Sequence, residues 1–433
     1  MEGNCQQLQL RKPGVRHANL AKCTNPAPPA FCARSRQVCV LWGRRTRYIE
    51  SMSLRIVLDA RRVADFGIGT YIRNLVRSLA RLDNKNQYTL ITPAPAVPEF
   101  ADLPSNFEIA VYDKKSKPGF AQLGFTLYLR RFSADLFHIP LNAVPMWMPK
   151  PYLVTIHDMS TLLFSNQKGY RNNLRLFYLR RGLARADRVL AVSSATRRDV
   201  EAVLQIPASR IQVVYNAPDP TFSQYSAQSA AEIQRVLDRY RIHYPFLLYV
   251  GRTNPQKNIP RLVEAFAVLR GELREEARYR DLRLIIIGDE IARHPALRHA
   301  VIQSRVEDSV RFLGFVPIET LRAFYQAASA FVFPSLYEGF GLPPLEAMAC
   351  GTPVVCSHVS SLPEVVGDAA LIVNPENVFD IARGMREVLL NDALRSGLIE
   401  RGLEQARQFS WERSAAQVLQ NYEEITSYKK RPR

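Results

Sequence analysis

Two carboxylates stand eight positions apart, Glu338 and Glu346, in the run Tyr337-Glu338-Gly339-Phe340-Gly341-Leu342-Pro343-Pro344-Leu345-Glu346. Upstream, Ala330-Phe331-Val332-Phe333 reads as a buried strand. Downstream, Leu345 to Ala349 has helix-forming composition and Gly351 suits a stop. The spacing predicts a strand, a tight glycine loop and a helix opened by prolines, which a first turn tolerates because its N–H groups lack intrahelical partners. Glu338 then sits at the lip of a parallel sheet and Glu346 in the first turn of the next helix. Bare helix N–H groups there favour an anion. Two carboxylates beside an anion site do not bind phosphate themselves; their natural partners are hydroxyl groups. A sugar nucleotide carries both.

Three further groups could join that chemistry. Arg252 leaves the strand-like run Phe246–Val250, and Lys257 precedes a helical pattern from Ile259. At a strand end, one guanidinium fork and one ammonium could hold a diphosphate; two solvated surface charges are the plainer alternative. Gly67 and Gly69 follow a strand and open a helix. A dinucleotide fingerprint needs a third glycine where Ile72 stands, so a dehydrogenase is disfavoured and a glycine loop closing over a diphosphate is preferred to a simple turn. His157 ends the run Leu153-Val154-Thr155-Ile156. A lone histidine is more often structural, but a strand end facing a cleft favours contact with a sugar hydroxyl through the neutral ring or the backbone carbonyl. Asp158 is expected either to orient that ring or to cap the next loop.

The elements that must position these groups alternate apolar strands with helical patterns from Leu54 onward, the mark of parallel α/β sheets. Two sequential series of this kind imply two Rossmann-like domains with a ligand cleft at the carboxyl ends of the strands. The expected division is an extension at 1–51, an acceptor domain at 52–225, a nucleotide-sugar donor domain at 226–410, and a crossing helix with tail at 411–433. The extension is rich in Arg, Pro and Cys and lacks periodicity. Met52 is read as the natural start, with a disordered basic tail as the second reading.

The chain has 433 residues, 47% of them apolar, and a net charge of +18, of which +7 lies in residues 1–51. No apolar run nears the ~18 residues that span a bilayer. A basic surface suits phosphorylated substrates or anionic lipid, or marks only a basic enzyme; no nucleic-acid reader motif is present. The seven histidines form no ligand cluster, and the spacings of Cys5, Cys23, Cys32 and Cys39 match no zinc pattern. Cys350 and Cys356 read as buried thiols. The interleaved basic and apolar residues of Tyr170–Arg185 (Arg171, Arg175, Arg180, Arg181 and Arg185 among Leu and Phe) suit a helix lying on anionic lipid, or one packed by its leucines.

Taken in order, Gly67-Ile68-Gly69, His157, Arg252 with Lys257, and Glu338 with Glu346 resemble the family 4 retaining glycosyltransferases of GT-B fold, over about Leu54 to Ser427. Val192-Ser193-Ser194, Val310 to Gly314 and Ser360-Ser361-Leu362-Pro363-Glu364 are also similar to that family. Tyr215-Asn216-Ala217 departs from it, where the family often has Asn-Gly. The resemblance implies an α/β GT-B fold and a C-terminal helix crossing back.

It also implies roles. Arg252 and Lys257 would bind the donor diphosphate, Glu346 the ribose hydroxyls and Glu338 the transferred sugar. The N–H groups of Phe340, Gly341 and Leu342 would lie near sugar and phosphate, Gly314, Phe315 and Val316 would line the base pocket, and His157 would approach the anomeric carbon. Configuration would be retained without a base carboxylate, a cofactor or a metal. GDP-mannose is the first choice of donor, from the similarity of Asp59 to Leu75 to bacterial mannosyltransferases, with UDP-glucose-type donors or a non-catalytic sugar-nucleotide-binding protein as alternatives. The acceptor would be a glycan or lipid-linked glycan in envelope or exopolysaccharide synthesis. It would be read by Arg61, Arg62, Lys114, Lys115, Lys117, Arg130 and Arg131, in the cytoplasm with a peripheral contact at the inner face of the membrane.

Overall fold

Short runs of Ile, Leu, Val and Phe, buried on both faces, form two all-parallel sheets. The structure is a computed structural model and describes residues 53–113, 120–142, 144–145, 147–164, 170–223, 229–288 and 294–429. The readings for residues 1–51 and for Met52, Lys114, Lys115 and Lys117 fall outside them.

The first series runs β1 (Arg55–Asp59), α1 (Ile68–Leu82), β2 (Gln87–Thr92), β3 (Phe107–Val111), α2 (Phe120–Leu129), β4 (Leu136–Ile139) and β5 (Tyr152–Ile156). It continues with α3 (Ser160–Leu163), α4 (Tyr170–Arg185), β6 (Arg188–Ala191), α5 (Ser194–Leu204) and β7 (Ile211–Val213). After α6 (Ser229–Arg239), the second series begins with β8 (Phe246–Gly251), α7 (Ile259–Glu272), β9 (Arg283–Gly288), α8 (Pro295–Gln303), β10 (Val310–Gly314) and α9 (Ile318–Ala327). Then come β11 (Ala330–Phe333), α10 (Leu342–Ala349), β12 (Val354–Ser357), α11 (Leu362–Val366), β13 (Ala370–Val373), α12 (Val378–Leu390), α13 (Asp392–Arg407) and α14 (Trp411–Lys429).

The sheet orders are β3-β2-β1-β4-β5-β6-β7 and β10-β9-β8-β11-β12-β13. Each reverses direction beside its first strand, β1 next to β4 and β8 next to β11. That reversal opens a crevice at the carboxyl ends of the strands, where ligands bind in doubly wound sheets. Both halves are α/β, as the alternating pattern predicts.

The second sheet has its own core, in which Phe246, Phe266, Phe324, Phe331 and Phe333 are fully buried. The last helix belongs to the other core. Trp411, Ala415, Val418, Tyr422 and Ile425 recur at intervals of three and four, one face of a helix, and pack with α1 residues in the first half's cluster. The Trp411 indole N–H donates to the Pro218 carbonyl at 3.1 Å, and Tyr422 Oη lies 2.7 Å from His138 Nδ1. His138 Nε2 is 2.8 Å from Thr155 Oγ1, and Tyr71 Oη 3.1 Å from the same oxygen. Burial pushes the His138 imidazole down to about 3, so this chain of bonds is neutral and ties α14 to β4, β5 and α1.

Candidate active site

On the second sheet, the turn after β8 is stitched to the loop after β11. Asn258, in the left-handed region at φ 59°, donates its side-chain amide to the carbonyls of Pro334 (3.1 Å) and Pro375 (2.6 Å). The Leu336 N–H donates to the Gln256 carbonyl at 2.7 Å. Lys257 is thereby placed against the glycine loop, and its Nζ donates to both oxygens of Glu338, at 2.6 and 2.8 Å. The ammonium also lies 5.5 Å from the Phe333 ring centroid. The sequence assigns Lys257 to a diphosphate and Glu338 to a sugar; the structure joins them as a mostly buried ion pair. A donor diphosphate would share that ammonium, which leaves the Glu338 carboxylate turned toward hydroxyl donors.

The helix after the loop begins three residues earlier than its composition suggests, at Leu342. Pro343 and Pro344 therefore occupy its first turn, and Glu346 lies in the second turn. This corrects the first-turn placement. Two of the first four residues have no N–H, so the anion-facing donors are few: among the described residues, nothing accepts from the N–H groups of Phe340, Gly341 or Leu342. Glu346 is buried, and Tyr325 Oη donates to its Oε2 at 3.1 Å. Burial raises its carboxyl to about 7, with Asp219 adding to the shift and the Tyr325 bond opposing it.

The folded state holds that proton longer than the unfolded chain does. On its own, the group makes the fold less stable as pH rises from 4.5 to about 7. In the role the resemblance implies, accepting ribose hydroxyls, the ionised form would be the stronger acceptor. Affinity for the nucleotide of the donor is then expected to rise up to about tenfold from about pH 6 to about pH 8, with a proton released on binding below about pH 7. Isothermal titration in buffers of different ionisation heat checks this, and Glu346→Gln should remove that part of the dependence. An unchanged proton count in the variant would refute the role.

On the first sheet, Gly67 (φ 69°) caps α1, and a Cβ on Gly69 would lie 2.1 Å from the Val63 carbonyl oxygen. This close approach folds residues 63–69 into a tight loop that carries Phe66 outward. Phe66 stacks on Phe315 at 4.3 Å between ring centroids, and the Arg252 guanidinium lies 5.5 Å from the Phe66 centroid. The glycine loop thus meets Arg252 and the Gly314-Phe315-Val316 segment across the cleft.

His157 is buried, its ring edge-on to Tyr71 at 4.8 Å. Its Nε2 lies 3.1 Å from the Pro140 carbonyl, which can only accept, so the proton sits on Nε2 and Nδ1 bears the lone pair. Burial pushes the imidazole down to about 4, and it is neutral at physiological pH. Asp158 does not orient the ring: its Oδ1 accepts from the N–H and hydroxyl of Ser160, at 2.9 and 2.7 Å, which closes the turn leading into α3.

The two halves meet at Gly339. Its carbonyl accepts from Ser193 Oγ (2.6 Å) and Thr196 Oγ1 (2.8 Å), both from the start of α5. The Glu364 carboxylate on α11 accepts from the N–H groups of Ser194 (3.1 Å) and Ala195 (2.9 Å). Ser361 Oγ donates to the carbonyls of Glu338 (3.0 Å) and Phe340 (2.6 Å). Tyr337 Oη donates to Asp199 Oδ2 at 2.7 Å and accepts from the Met159 N–H at 3.0 Å. These residues clasp the glycine loop that carries Glu338, a role that their types alone do not announce.

Two of the expected acceptor-reading residues are otherwise engaged. Arg61 is bidentate to Asp59, at 2.8 and 2.7 Å, and lies 3.2 Å over the Phe125 ring, while Arg62 pairs with Asp65. Cys350 and Cys356 are buried free thiols, as their setting suggests. Among the described residues no His, Cys, Asp or Glu cluster is arranged to hold a metal.

Family models match both halves: Glycosyltransferase Family 4 over residues 67–222 and Glycosyl transferases group 1 over residues 239–405. O-antigen chain mannosyltransferase B of Escherichia coli is 38% identical over 299 residues, covering 68% of this chain and 75% of that protein. The chain belongs to the glycosyl transferases group 1. Serotype-specific mannosyltransferase WbdA of E. coli is 34% identical over 288 residues, covering 66% of this chain but only 34% of that longer protein. Among solved structures, sucrose-phosphate synthase of Thermosynechococcus elongatus superposes with a TM-score of 0.69 at 23% identity, over 87% of this chain and all of that one. WaaG, a glycosyltransferase of lipopolysaccharide biosynthesis, gives 0.67 at 17% identity, over 85% and 99%. The fold is GT-B, and the chain is a glycosyltransferase.

Proposed function

We propose that this glycosyltransferase moves mannose from GDP-mannose to a glycan, free or lipid-linked, in envelope polysaccharide synthesis, with retention of anomeric configuration. The observation that carries the reading is the Lys257–Glu338 pair beside the N–H groups of Phe340, Gly341 and Leu342 at the β8/β11 reversal. There an ammonium and backbone dipoles face a diphosphate while a carboxylate faces sugar hydroxyls. The choice of mannose and of the polysaccharide destination rests on the names of the E. coli relatives, an O-antigen chain mannosyltransferase and a serotype-specific mannosyltransferase.

In this mechanism the bond from the anomeric carbon to the diphosphate oxygen breaks, and Lys257, Arg252 and the loop N–H groups take up the charge that builds on the leaving group. The acceptor oxygen bonds to the same face of that carbon. Its proton passes to the departing phosphate oxygen, so charge and atoms balance without a protein base. Glu338 is held by Lys257 and Glu346 lies among buried groups; neither is placed as the acid and nucleophile of a retaining glycosidase. His157, neutral with its N–H bound to Pro140, contributes a lone pair and a carbonyl near the sugar rather than a proton. Arg252 and Lys257 are the cationic side chains this reading sets against the diphosphate, with loop N–H groups beside them, and it expects no metal.

The acceptor half also suits a membrane surface. Leu123 and Leu127 are exposed on one face of α2 ahead of Arg130 and Arg131, and Phe177 is exposed on α4 near Arg180 and Arg181. The side chains of Arg171 and Arg175 lie outside those described. A peripheral contact at the inner face of the cytoplasmic membrane follows from this reading. Incubation with GDP-mannose and a mannose-terminated acceptor tests the whole, the expected products being GDP and an α-mannoside in equal amounts.

A further inference from the structure

The groups proposed for the donor's diphosphate and base follow β1 (Gly67, Gly69), β8 (Arg252, Lys257) and β10 (Phe315), and those proposed for its sugar and ribose follow β5 (His157) and β11 (Glu338, Glu346). In the two sheet orders β1, β8 and β10 lie on one side of β5 and β11. Reaching from β5 and β11 toward the other side, to the ends of β6 and β12, is a cavity of about 460 Å³ lined by Leu163, Phe164, Arg198, Asp199, Tyr337 and Ser360 among others. That volume falls within the roughly 300–1,000 Å³ of small-ligand sites. Its lining residues follow the carboxyl ends of β5, β6, β11 and β12, the end of each parallel sheet at which ligands bind.

Two of its walls adjoin the reacting centre in the chain: Tyr337 precedes Glu338, and α3, which ends at Leu163, starts three residues after His157. Phe164 lies 5.6 Å from the Tyr337 ring, and Tyr337 Oη binds Asp199 and the Met159 N–H. Leu163 (45%) and Phe164 (39%) are exposed, so their apolar surfaces are open to a ligand in the cavity.

We propose that this cavity is the acceptor subsite and takes a neutral hexose unit of the glycan being extended. This rests on the transferase reading above. A transferase needs two lobes that meet at the anomeric carbon, and the loop bearing Glu338 is the wall they share. The chemistry of the lining suits a sugar. Leu163 and Phe164 offer an apolar surface for its C–H faces, while Arg198 and Asp199, consecutive in α5, offer a donor and an acceptor for neighbouring hydroxyls. A ligand of phosphate type would meet the Asp199 carboxylate and is disfavoured.

The test uses the full chain and an α-linked mannose disaccharide as probe, followed by saturation-transfer NMR, with the GDP-induced rise in Tm as the control for the donor lobe. Wild type should give disaccharide signals, and Phe164→Ala and Asp199→Asn should lose them while keeping the GDP shift. Both side chains are at least partly solvent-facing, and asparagine still accepts from Tyr337 Oη. In transfer assays the acceptor KM should rise about tenfold or more in each variant. No disaccharide signal in wild type, or signals and acceptor KM unchanged in both variants, would overturn the subsite. Disaccharide binding that depends on Phe164 in a protein that binds no nucleotide would leave the subsite standing and remove the transferase reading instead.

Discussion

Gly339→Ala is expected to cut transfer at least about a hundredfold while the protein stays folded. A Cβ at this position would lie 1.8 Å from the His157 carbonyl oxygen, 2.8 Å from its carbon and 2.7 Å from the Asp158 Cβ. None of these is the far end of a flexible side chain, so relief requires the two loops to part by more than an ångström. Misplacement on that scale costs about a hundredfold when the reacting groups lie on opposite walls of a cleft. It would also pull the Gly339 carbonyl away from Ser193 and Thr196. Each half keeps its own buried core, so thermal unfolding should change little. Comparison of kcat with Tm and the circular dichroism spectrum checks this. A variant with wild-type kcat would show that the two walls do not close on each other during the reaction.

Lys257→Ala is expected to lower kcat/KM for the donor about a thousandfold. It removes a cation that would face the leaving diphosphate, which elsewhere costs about a hundred- to a thousandfold per donor. It also strands the Glu338 carboxylate, whose side chain is 10% exposed, without its partner. Breaking a buried pair by removing one member costs about 3–5 kcal/mol, a figure to be discounted here because Lys257 retains 18% exposure. The stranded carboxylate would then repel the diphosphate. The double variant Lys257→Ala/Glu338→Gln should accordingly bind GDP more tightly than Lys257→Ala alone, although it remains poor at transfer. Titration calorimetry with GDP across the four proteins of the cycle measures that coupling. Additive effects would mean that the pair seen in the structure carries no energy in solution.

Much of this architecture is legible from the sequence because its strands are short apolar runs buried on both faces, which leave an unbroken hydrophobic signal. The glycine loops are legible because strand ends that approach another backbone cannot carry a side chain. The helix at Leu342 is misplaced by three residues because two consecutive prolines look like a boundary, whereas they sit within the first turn. The ion pair of Lys257 with Glu338 joins residues 81 positions apart, and no local pattern encodes it. The clasp of Ser193, Thr196, Ser361 and Glu364 is similarly hidden, since serine, threonine and glutamate at helix starts are ordinary capping residues until the partner loop is in place. Arg61 reads as a free basic group only while Asp59 and Phe125 are out of view.

The measurement that bears most directly on the central claim is mannosyl transfer from GDP-mannose to a mannose-terminated acceptor in the presence of a metal chelator, followed by NMR of the anomeric protons. The account expects GDP and α-mannoside to form in equal amounts, at a rate the chelator does not change. Formation of a β-mannoside, arrest by the chelator, or transfer only from another sugar nucleotide would contradict it.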